Sequence, residues 1–181
     1  MCGLFGYSIT NSGINNFSSL PLDSLTHRGP DQWGTWHDEL LYMGHRRLSI
    51  IDLSENGKQP MIDKDNRVVI SVNGEIYNFK QIRDKLNNKY DFKSNSDSEV
   101  ILHGYQEWGL DKLLGMLDGM YAIVIYDIIK KKVYLIRDRV GIKPLYYSFI
   151  NNQLVWGSEL KAIIAHYDNK QLSIDYTALY D

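Results

Sequence analysis

The chain has 181 residues, of which 44% are hydrophobic and 23% are charged, and its formal net charge is −2. This length and composition are typical of one globular domain, and the weak charge argues against a nucleic-acid or polybasic membrane surface. A single cysteine excludes an internal disulfide framework and a cysteine-rich zinc site. With no signal peptide and no apolar stretch long enough to span a bilayer, a reducing cytoplasm is the expected compartment.

In chain order, the first half of the sequence alternates short strands with loops. Its patterns predict a short helix over residues 18–25 and strands over residues 2–9, 33–37, 40–44 and 67–72. Residues 52–65 contain Gly57 and Pro60 and are predicted to form a long surface loop. The strand over residues 67–72 ends in Asn73-Gly74, a pair that favours a turn.

Helices are predicted in the middle of the chain. Apolar residues recur there twice at helical spacing, as Phe79, Ile82 and Leu86 and then as Ile101, Tyr105 and Trp108. The segment Ser96-Asp97-Ser98-Glu99 has the form of a capping box for the second of these helices. A further short helix is predicted over residues 111–116.

The last third of the chain is rich in strands. It contains two predicted hairpins and a helix, over residues 120–128 and 132–137, 145–148 and 153–156, and 158–165. The segment from Tyr121 to Tyr126 is apolar on both faces, so a sheet on one side and a helix on the other would cover it. Because the elements do not alternate as βαβ units, we predict an α+β fold of two stacked antiparallel sheets with helices outside.

Cys2 is the only cysteine and directly follows the initiator methionine. Removal of Met1 would give this residue a free α-amine as well as a thiol. An α-amine titrates close to neutral pH, so the terminal residue can supply a nucleophile and its general base together. Taken alone, a cysteine at this position is more often an accident or a small buried hydrophobe.

Three polar clusters lie inside otherwise apolar segments and can complete a site around such a nucleophile. Arg46 and Arg47 are neighbours in a strand-like run, so they point to opposite faces, and one of them can meet an anion unless both are solvated. Asn73 and Gly74 can donate two hydrogen bonds to a developing oxyanion or can simply form a turn. Asp97 can bind an ammonium group or complement a helix dipole.

Six segments, in this order, resemble the motifs of class II glutamine amidotransferase domains. They are Met1-Cys2-Gly3, Arg28-Gly29-Pro30-Asp31, His45-Arg46-Arg47-Leu48-Ser49-Ile50-Ile51-Asp52, Asn73-Gly74-Glu75-Ile76-Tyr77-Asn78, Ser96-Asp97-Ser98-Glu99-Val100 and Asp138-Arg139-Val140-Gly141-Ile142-Lys143-Pro144-Leu145-Tyr146-Tyr147. The sequence is most similar to the N-terminal glutaminase half of asparagine synthetase B-type enzymes, since the Arg-Gly-Pro-Asp form separates it from the purine and glucosamine-phosphate branches.

The resemblance implies a four-layer αββα sandwich of the Ntn-hydrolase type, which agrees with the pattern of predicted elements. It implies a glutaminase domain over residues 1–166. Residues 167–181 would begin a linker to an absent C-terminal synthetase domain.

The resemblance also implies which residues carry the chemistry. Cys2 would attack the side-chain amide of glutamine and form a thioester, with the Asn73 side chain and the Gly74 N–H as oxyanion donors. Arg47, and not Arg46, would bind the α-carboxylate of glutamine. The ammonium group would be bound by Glu75 and Asp97, and the backbone of the next segment would line the pocket, at Leu48, Ser49, Ile50 and Ile51.

The implied activity is hydrolysis of L-glutamine to glutamate and ammonia, with no metal and no cofactor in this domain. A synthetase domain, where ATP and magnesium are expected, would use the ammonia to make asparagine or to amidate a sugar or another acceptor. L-glutamine, that domain and a second copy in a homodimer are the expected partners, and nucleic acid and membrane are not. Two alternatives stay open, a non-catalytic docking or regulatory module with the same fold and another N-terminal-nucleophile amidase.

Overall fold

The computed structural model describes residues 1–11 and 18–167, so only Tyr167 of the predicted linker over residues 167–181 lies within them. Within the described residues the helices are α1 (Leu20–Asp23), α2 (Phe79–Leu86), α3 (Glu99–Met116) and α4 (Leu160–Tyr167). The strands are β1 (Gly3–Ser8), β2 (Gln32–His37), β3 (Leu41–Arg47), β4 (Met61–Ile62), β5 (Val68–Ile76), β6 (Gly119–Asp127), β7 (Lys132–Arg137), β8 (Tyr146–Ile150) and β9 (Gln153–Gly157).

The strands form two antiparallel sheets. The first has the order β2-β3-β1-β9-β8 and contains the N-terminal strand at its centre. The second has the order β4-β5-β6-β7. A strand buried at the centre of a sheet is held on both edges, so the chain start next to β1 is fixed in place although it is a terminus.

Three apolar clusters separate four layers. One lies between the sheets and includes Leu4 and Trp156 from the first sheet and Val124 from the second. A second packs the outer face of the first sheet against α1 and α4, and a third packs the outer face of the second sheet against α2 and α3. The αββα sandwich is therefore confirmed within the described residues.

The predicted double covering of residues 121–126 is also confirmed. Side chains alternate along β6, so Ile123 and Ile125 pack toward the helices while Ala122 and Val124 pack toward the other sheet. All four side chains are fully buried. Burial of a large aliphatic side chain contributes about 1.5–3 kcal/mol, which makes β6 a main support of the fold.

The prediction that a strand ends at residue 72 is wrong. Strand β5 continues through Asn73 and Gly74 to Ile76, and β6 pairs with it along its full length. A Cβ atom on Gly74 would lie 2.3 Å from the carbonyl oxygen of Met120. Glycine is therefore required here because β6 approaches closely, and the Asn-Gly pair does not form a turn.

The capping box at the start of α3 is not formed either. The helix begins at Glu99, and the hydroxyl of Ser96 accepts the N–H of Ser98 instead of that of Glu99. The Glu99 carboxylate accepts the N–H groups of Lys93 and Ser94, at 2.8 Å each. The same helix contains a break at Gly109, where φ is +73°, so the separate short helix predicted over residues 111–116 is present as its last part.

Two further differences concern the predicted loop over residues 52–65 and the end of the last helix. The loop over residues 52–65 contains a 3₁₀ turn (Glu55–Gly57) and the short strand β4, neither of which was predicted. Tyr167, assigned from the sequence to the linker, is buried at the end of α4 and belongs to the domain.

No helix within the described ranges is long and apolar enough to cross a bilayer.

Replacing Glu99 by glutamine should make the unfolding free energy smaller by about 2–3 kcal/mol at pH 7. Burial opposes ionisation of this carboxylate, but the His103 ring at 3.5 Å and the donors of Lys93 and Ser94 outweigh it and lower the pKa of Glu99 to about 2. A carboxyl group whose pKa is lowered in the folded state stabilises the fold at pH values above its unfolded pKa, about 4.3. This stabilisation is lost as the pH falls toward 2.

Urea unfolding of both proteins between pH 7 and pH 3 would measure the difference. Glu107→Gln on the same helix is the matched control, since that carboxylate is paired with Lys89 at the surface. We expect little change from the control. A Glu99→Gln effect that stays constant over this pH range would contradict the assignment.

Candidate active site

The predicted site residues meet in one pocket. It lies beside the chain start, between the ends of β3 and β5. Except for Ser49, all of the predicted site residues line it, namely Cys2, Arg47, Leu48, Ile50, Ile51, Asn73, Gly74, Glu75 and Asp97. The N–H of Ser49 is instead donated to Asp31 at 2.7 Å. Three segments that are distant in sequence therefore converge on the thiol.

The Cys2 thiol is half-buried, and its sulfur lies 3.9 Å from the carbonyl oxygen of Leu48. Burial raises the pKa of the thiol, although the Leu48 contact, the N-terminal amine and Arg47 act in the opposite direction. A thiol with a raised pKa is largely protonated at neutral pH. To act as a nucleophile, this thiol would therefore need a base close by.

Arg28 holds the main chain of Cys2. Its Nε donates to the Cys2 carbonyl oxygen at 2.9 Å, and its Nη1 donates to Glu159 Oε1, also at 2.9 Å. The guanidinium is buried, so this contact has a defined geometry. No role was predicted for Arg28, although its place in the Arg-Gly-Pro-Asp motif was a signal for one.

The rest of that motif holds the loop against β3. A Cβ atom on Gly29 would lie 2.3 Å from the main-chain carbon of Arg46, so no other residue fits at this position. Asp31 donates its N–H to the carbonyl oxygen of Arg47 and accepts the N–H of Ser49. The motif thus fixes Cys2 on one side and the segment after Arg47 on the other.

Arg46 and Arg47 point in opposite directions, as their positions in one strand require. Arg46 points away from the pocket. It forms an ion pair with Asp23 and donates to the carbonyl oxygen of Leu22. Arg47 is 5% exposed and turns into the pocket. The choice of the second arginine, which the resemblance made, agrees with the geometry.

The Arg47 guanidinium is held by neutral oxygens only. Its Nη1 donates to Gln32 Oε1 at 2.6 Å and to the carbonyl oxygen of Ser54 at 3.1 Å, and its Nη2 donates to the carbonyl oxygen of Asp52. No carboxylate in the described part of the chain lies within 4.0 Å of it. A buried guanidinium with no carboxylate in direct contact is suited to bind an anionic ligand group.

Two residues without a predicted role keep Arg47 in this position. A Cβ atom on Gly57 would lie 2.2 Å from Arg47 Nη2, so the guanidinium extends across a glycine. The carboxylate of Asp52 accepts the N–H groups of Ser54 and Asn95, at 2.8 and 2.7 Å. These contacts fix the two carbonyl groups that hold the guanidinium.

Asn73 presents an amide without a partner. The residue is 1% exposed, and its Nδ2 forms no hydrogen bond within the described residues. A buried donor left unpaired costs about 1–3 kcal/mol, so its presence beside a thiol calls for a ligand acceptor. Gly74 follows it in β5 and also lines the pocket.

Two carboxylates lie on the same side of the pocket. Asp97 is buried and accepts the N–H of Ile76 at 2.8 Å, which ties the segment before α3 to β5. Burial and, to a smaller extent, the negative charge of Glu75 raise the pKa of Asp97. A cation bound between the two carboxylates would remove this repulsion.

Other pocket residues were not selected from the sequence. They are Met1, Asp52, Gln59, Val72, Ser96, Ser98, Met120 and Lys143. The Gln59 amide accepts the N–H of Val72 at 2.6 Å and donates to its carbonyl oxygen at 3.3 Å, so it supports β5 beside Asn73. No local pattern marks Gln59, because this contact depends on the path of the loop.

The fold of this chain is shared with solved amidotransferase structures. A solved structure of the glutamine phosphoribosylpyrophosphate amidotransferase of Bacillus subtilis matches with a TM-score of 0.76 and 23% sequence identity. The match covers 91% of this chain and 43% of that one. At this identity the likeness shows the fold alone.

The chain belongs to the glutamine amidotransferase domain family, whose model matches residues 1–181. It is 44% identical, over 92% of its length, to asparagine synthetase [glutamine-hydrolyzing] 2 of Bacillus subtilis. It is 38% identical, over 99% of its length, to asparagine synthetase [glutamine-hydrolyzing] 3 of the same organism. The matched regions are 22% and 30% of those two proteins, so the chain spans less than a third of either relative.

Proposed function

We propose that this chain hydrolyses L-glutamine to glutamate and ammonia through a thioester on Cys2. The observation that carries the proposal is one pocket that is lined by the thiol, two carboxylates, a guanidinium with no carboxylate in contact and an amide donor with no partner among the described residues. Free L-glutamine has a carboxylate, an ammonium group and a reactive amide. Each of these groups has a counterpart in the pocket.

Arg47 would bind the α-carboxylate, and Asp97 with Glu75 would bind the ammonium group. A ligand lacking either charge would leave a buried group unpaired, so the pocket selects a free amino acid over a simple amide. The bound amide carbon is then presented to the Cys2 thiol. The Asn73 amide and the N–H of Gly74 would donate to the oxygen of the tetrahedral intermediate.

The base in this proposal is the α-amine of Cys2 itself, which requires removal of Met1. While Met1 is attached, the Cys2 nitrogen is an amide and cannot accept a proton, and Met1 also lines the pocket. After removal, the amine takes the thiol proton, the sulfur attacks the amide carbon, and ammonia leaves with that proton. Water then breaks the C–S bond, which releases glutamate and restores the thiol.

Intact-mass spectrometry combined with a glutamate-release assay tests the proposal. We expect loss of Met1, glutamate production from glutamine, and no detectable turnover after Cys2→Ala. Simple amides and asparagine offered in the same assay should be poor substrates; good turnover of them would instead favour another N-terminal-nucleophile amidase. A chain without Met1 that releases no glutamate, even when a synthetase half is supplied, would favour the docking-module alternative.

The ammonia would be passed to a synthetase domain. This part of the proposal is supported by relatives that are named glutamine-hydrolysing asparagine synthetases and are several times longer than the matched region. ATP and magnesium would belong to that domain, and asparagine would be its product. Homodimer formation stays a prediction.

A further inference from the structure

Lys143 is a buried cation in the pocket to which the proposed reaction assigns no role. The residue is 7% exposed and lines the same pocket as Cys2. Within residues 1–11 and 18–167, its ammonium group has no carboxylate within 4.0 Å and forms no hydrogen bond. A lysine with so little exposure and no counter-charge in contact leaves its ammonium group available to an anionic ligand in the pocket.

The loop that carries Lys143 is rigidly held. The Asp138 carboxylate accepts the N–H groups of Ile142 and Lys143, at 2.8 and 2.9 Å, and Arg137 Nε donates to the Lys143 carbonyl oxygen at 2.8 Å. Gly141 has a φ of +70°, which lets the loop turn between these contacts. The position of the lysine at the pocket is therefore built into the fold.

The charges of the substrate do not require this lysine. Glutamine carries one negative charge, which Arg47 can bind, and one positive charge, which Asp97 and Glu75 can bind. Hydrolysis changes this balance, because the neutral amide becomes a carboxylate. Water adds to the thioester carbonyl, the C–S bond breaks, one proton of water returns to sulfur, and the product carboxyl releases the other to solvent.

We propose that Lys143 binds the carboxylate that hydrolysis creates at the reacting end of the ligand. It would thereby set the affinity of the pocket for the product glutamate, and so the strength of product inhibition. Glutamine carries no charge at this end and would depend on Lys143 far less. This inference rests on the proposed function, since it needs an amino-acid ligand in the pocket.

Binding to the Cys2→Ala variant, measured by titration calorimetry without turnover, tests this role. L-glutamate, L-glutamine and L-norvaline are compared, because norvaline has the carbon skeleton and α-groups of glutamate but no side-chain carboxylate. Adding Lys143→Met should weaken glutamate binding by about tenfold or more, the range of a hydrogen bond to a charged group. Glutamine and norvaline affinities should change by less than about threefold, and Lys143→Arg should keep most of the glutamate affinity.

Lys80→Met, on the exposed side of α2, is the matched control for a lost lysine charge and should change none of the three affinities. Norvaline binding shows that the Lys143→Met pocket is folded. Equal weakening of glutamate and norvaline, or no change in either, would overturn the role of Lys143 while leaving the glutaminase intact. Failure of all three ligands to bind the Cys2→Ala chain would instead overturn the proposed function, and this inference with it.

Discussion

Replacing Asn73 by alanine should lower kcat for glutamate release by about 10²–10³-fold, with only a modest change in KM. The physical reason is that its buried Nδ2 has no partner in the described residues and is available for charge that develops on the amide oxygen. A donor used mainly in the transition state contributes to kcat and little to substrate binding.

The fold should tolerate this change, because the amide nitrogen that is removed makes no hydrogen bond there. Asn78→Ala is the matched control, since the Asn78 amide bonds to Met116 and Asp118 outside the pocket. Steady-state kinetics with unfolding curves of both variants would measure the difference. An Asn73→Ala enzyme that loses affinity and keeps kcat would contradict the assignment of an oxyanion donor.

Replacing Arg47 by methionine should raise KM for glutamine by about a hundredfold and affect kcat much less. Loss of one partner from a buried charge pair costs about 2–5 kcal/mol, and here the substrate carboxylate would be left without its cation. The α-carboxylate is remote from the reacting amide, so its contact is the same in the ground state and in the transition state. Such uniform binding appears in KM.

Arg46→Met is a close control, because the two arginines are adjacent in β3 and differ only in the face to which they point. We expect the control to leave KM and kcat near their starting values, since Arg46 pairs with Asp23 away from the pocket. Initial-rate measurements over a wide range of glutamine concentration would separate the variants. If Asn73→Ala and Arg47→Met changed both parameters alike, the division between catalysis and binding would be wrong.

Much of this site could be predicted because its residues are chemically unusual where they occur. A cysteine directly after the initiator methionine, two arginines in an apolar run and an asparagine-glycine pair each indicate chemistry. The strands and helices were also readable from hydrophobic periodicity, including the double burial of β6. The resemblance to the amidotransferase motifs then assigned roles that local patterns left open, such as the choice between Arg46 and Arg47.

Other parts could not be predicted, because they depend on which segments meet. The Asn73-Gly74 pair has the local chemistry of a turn, yet tertiary pairing with β6 keeps it in a strand. Glu99 reaches back to Lys93 and Ser94 because the preceding chain folds over it, so the expected capping box is absent. Gln59 and Lys143 carry no local signal of their contacts.

The sequence by itself was enough to predict the layered α+β fold and to propose Cys2 as the nucleophile with polar groups around it, since these follow from residue chemistry and periodicity. Only the tertiary structure decided that, among the described residues, no carboxylate is in contact with Arg47 and the Asn73 amide nitrogen has no partner. Only there does Lys143 become a buried residue that lines the same pocket. Solvation and pairing depend on neighbours that are distant along the chain, and packing of the two sheets brings those neighbours together.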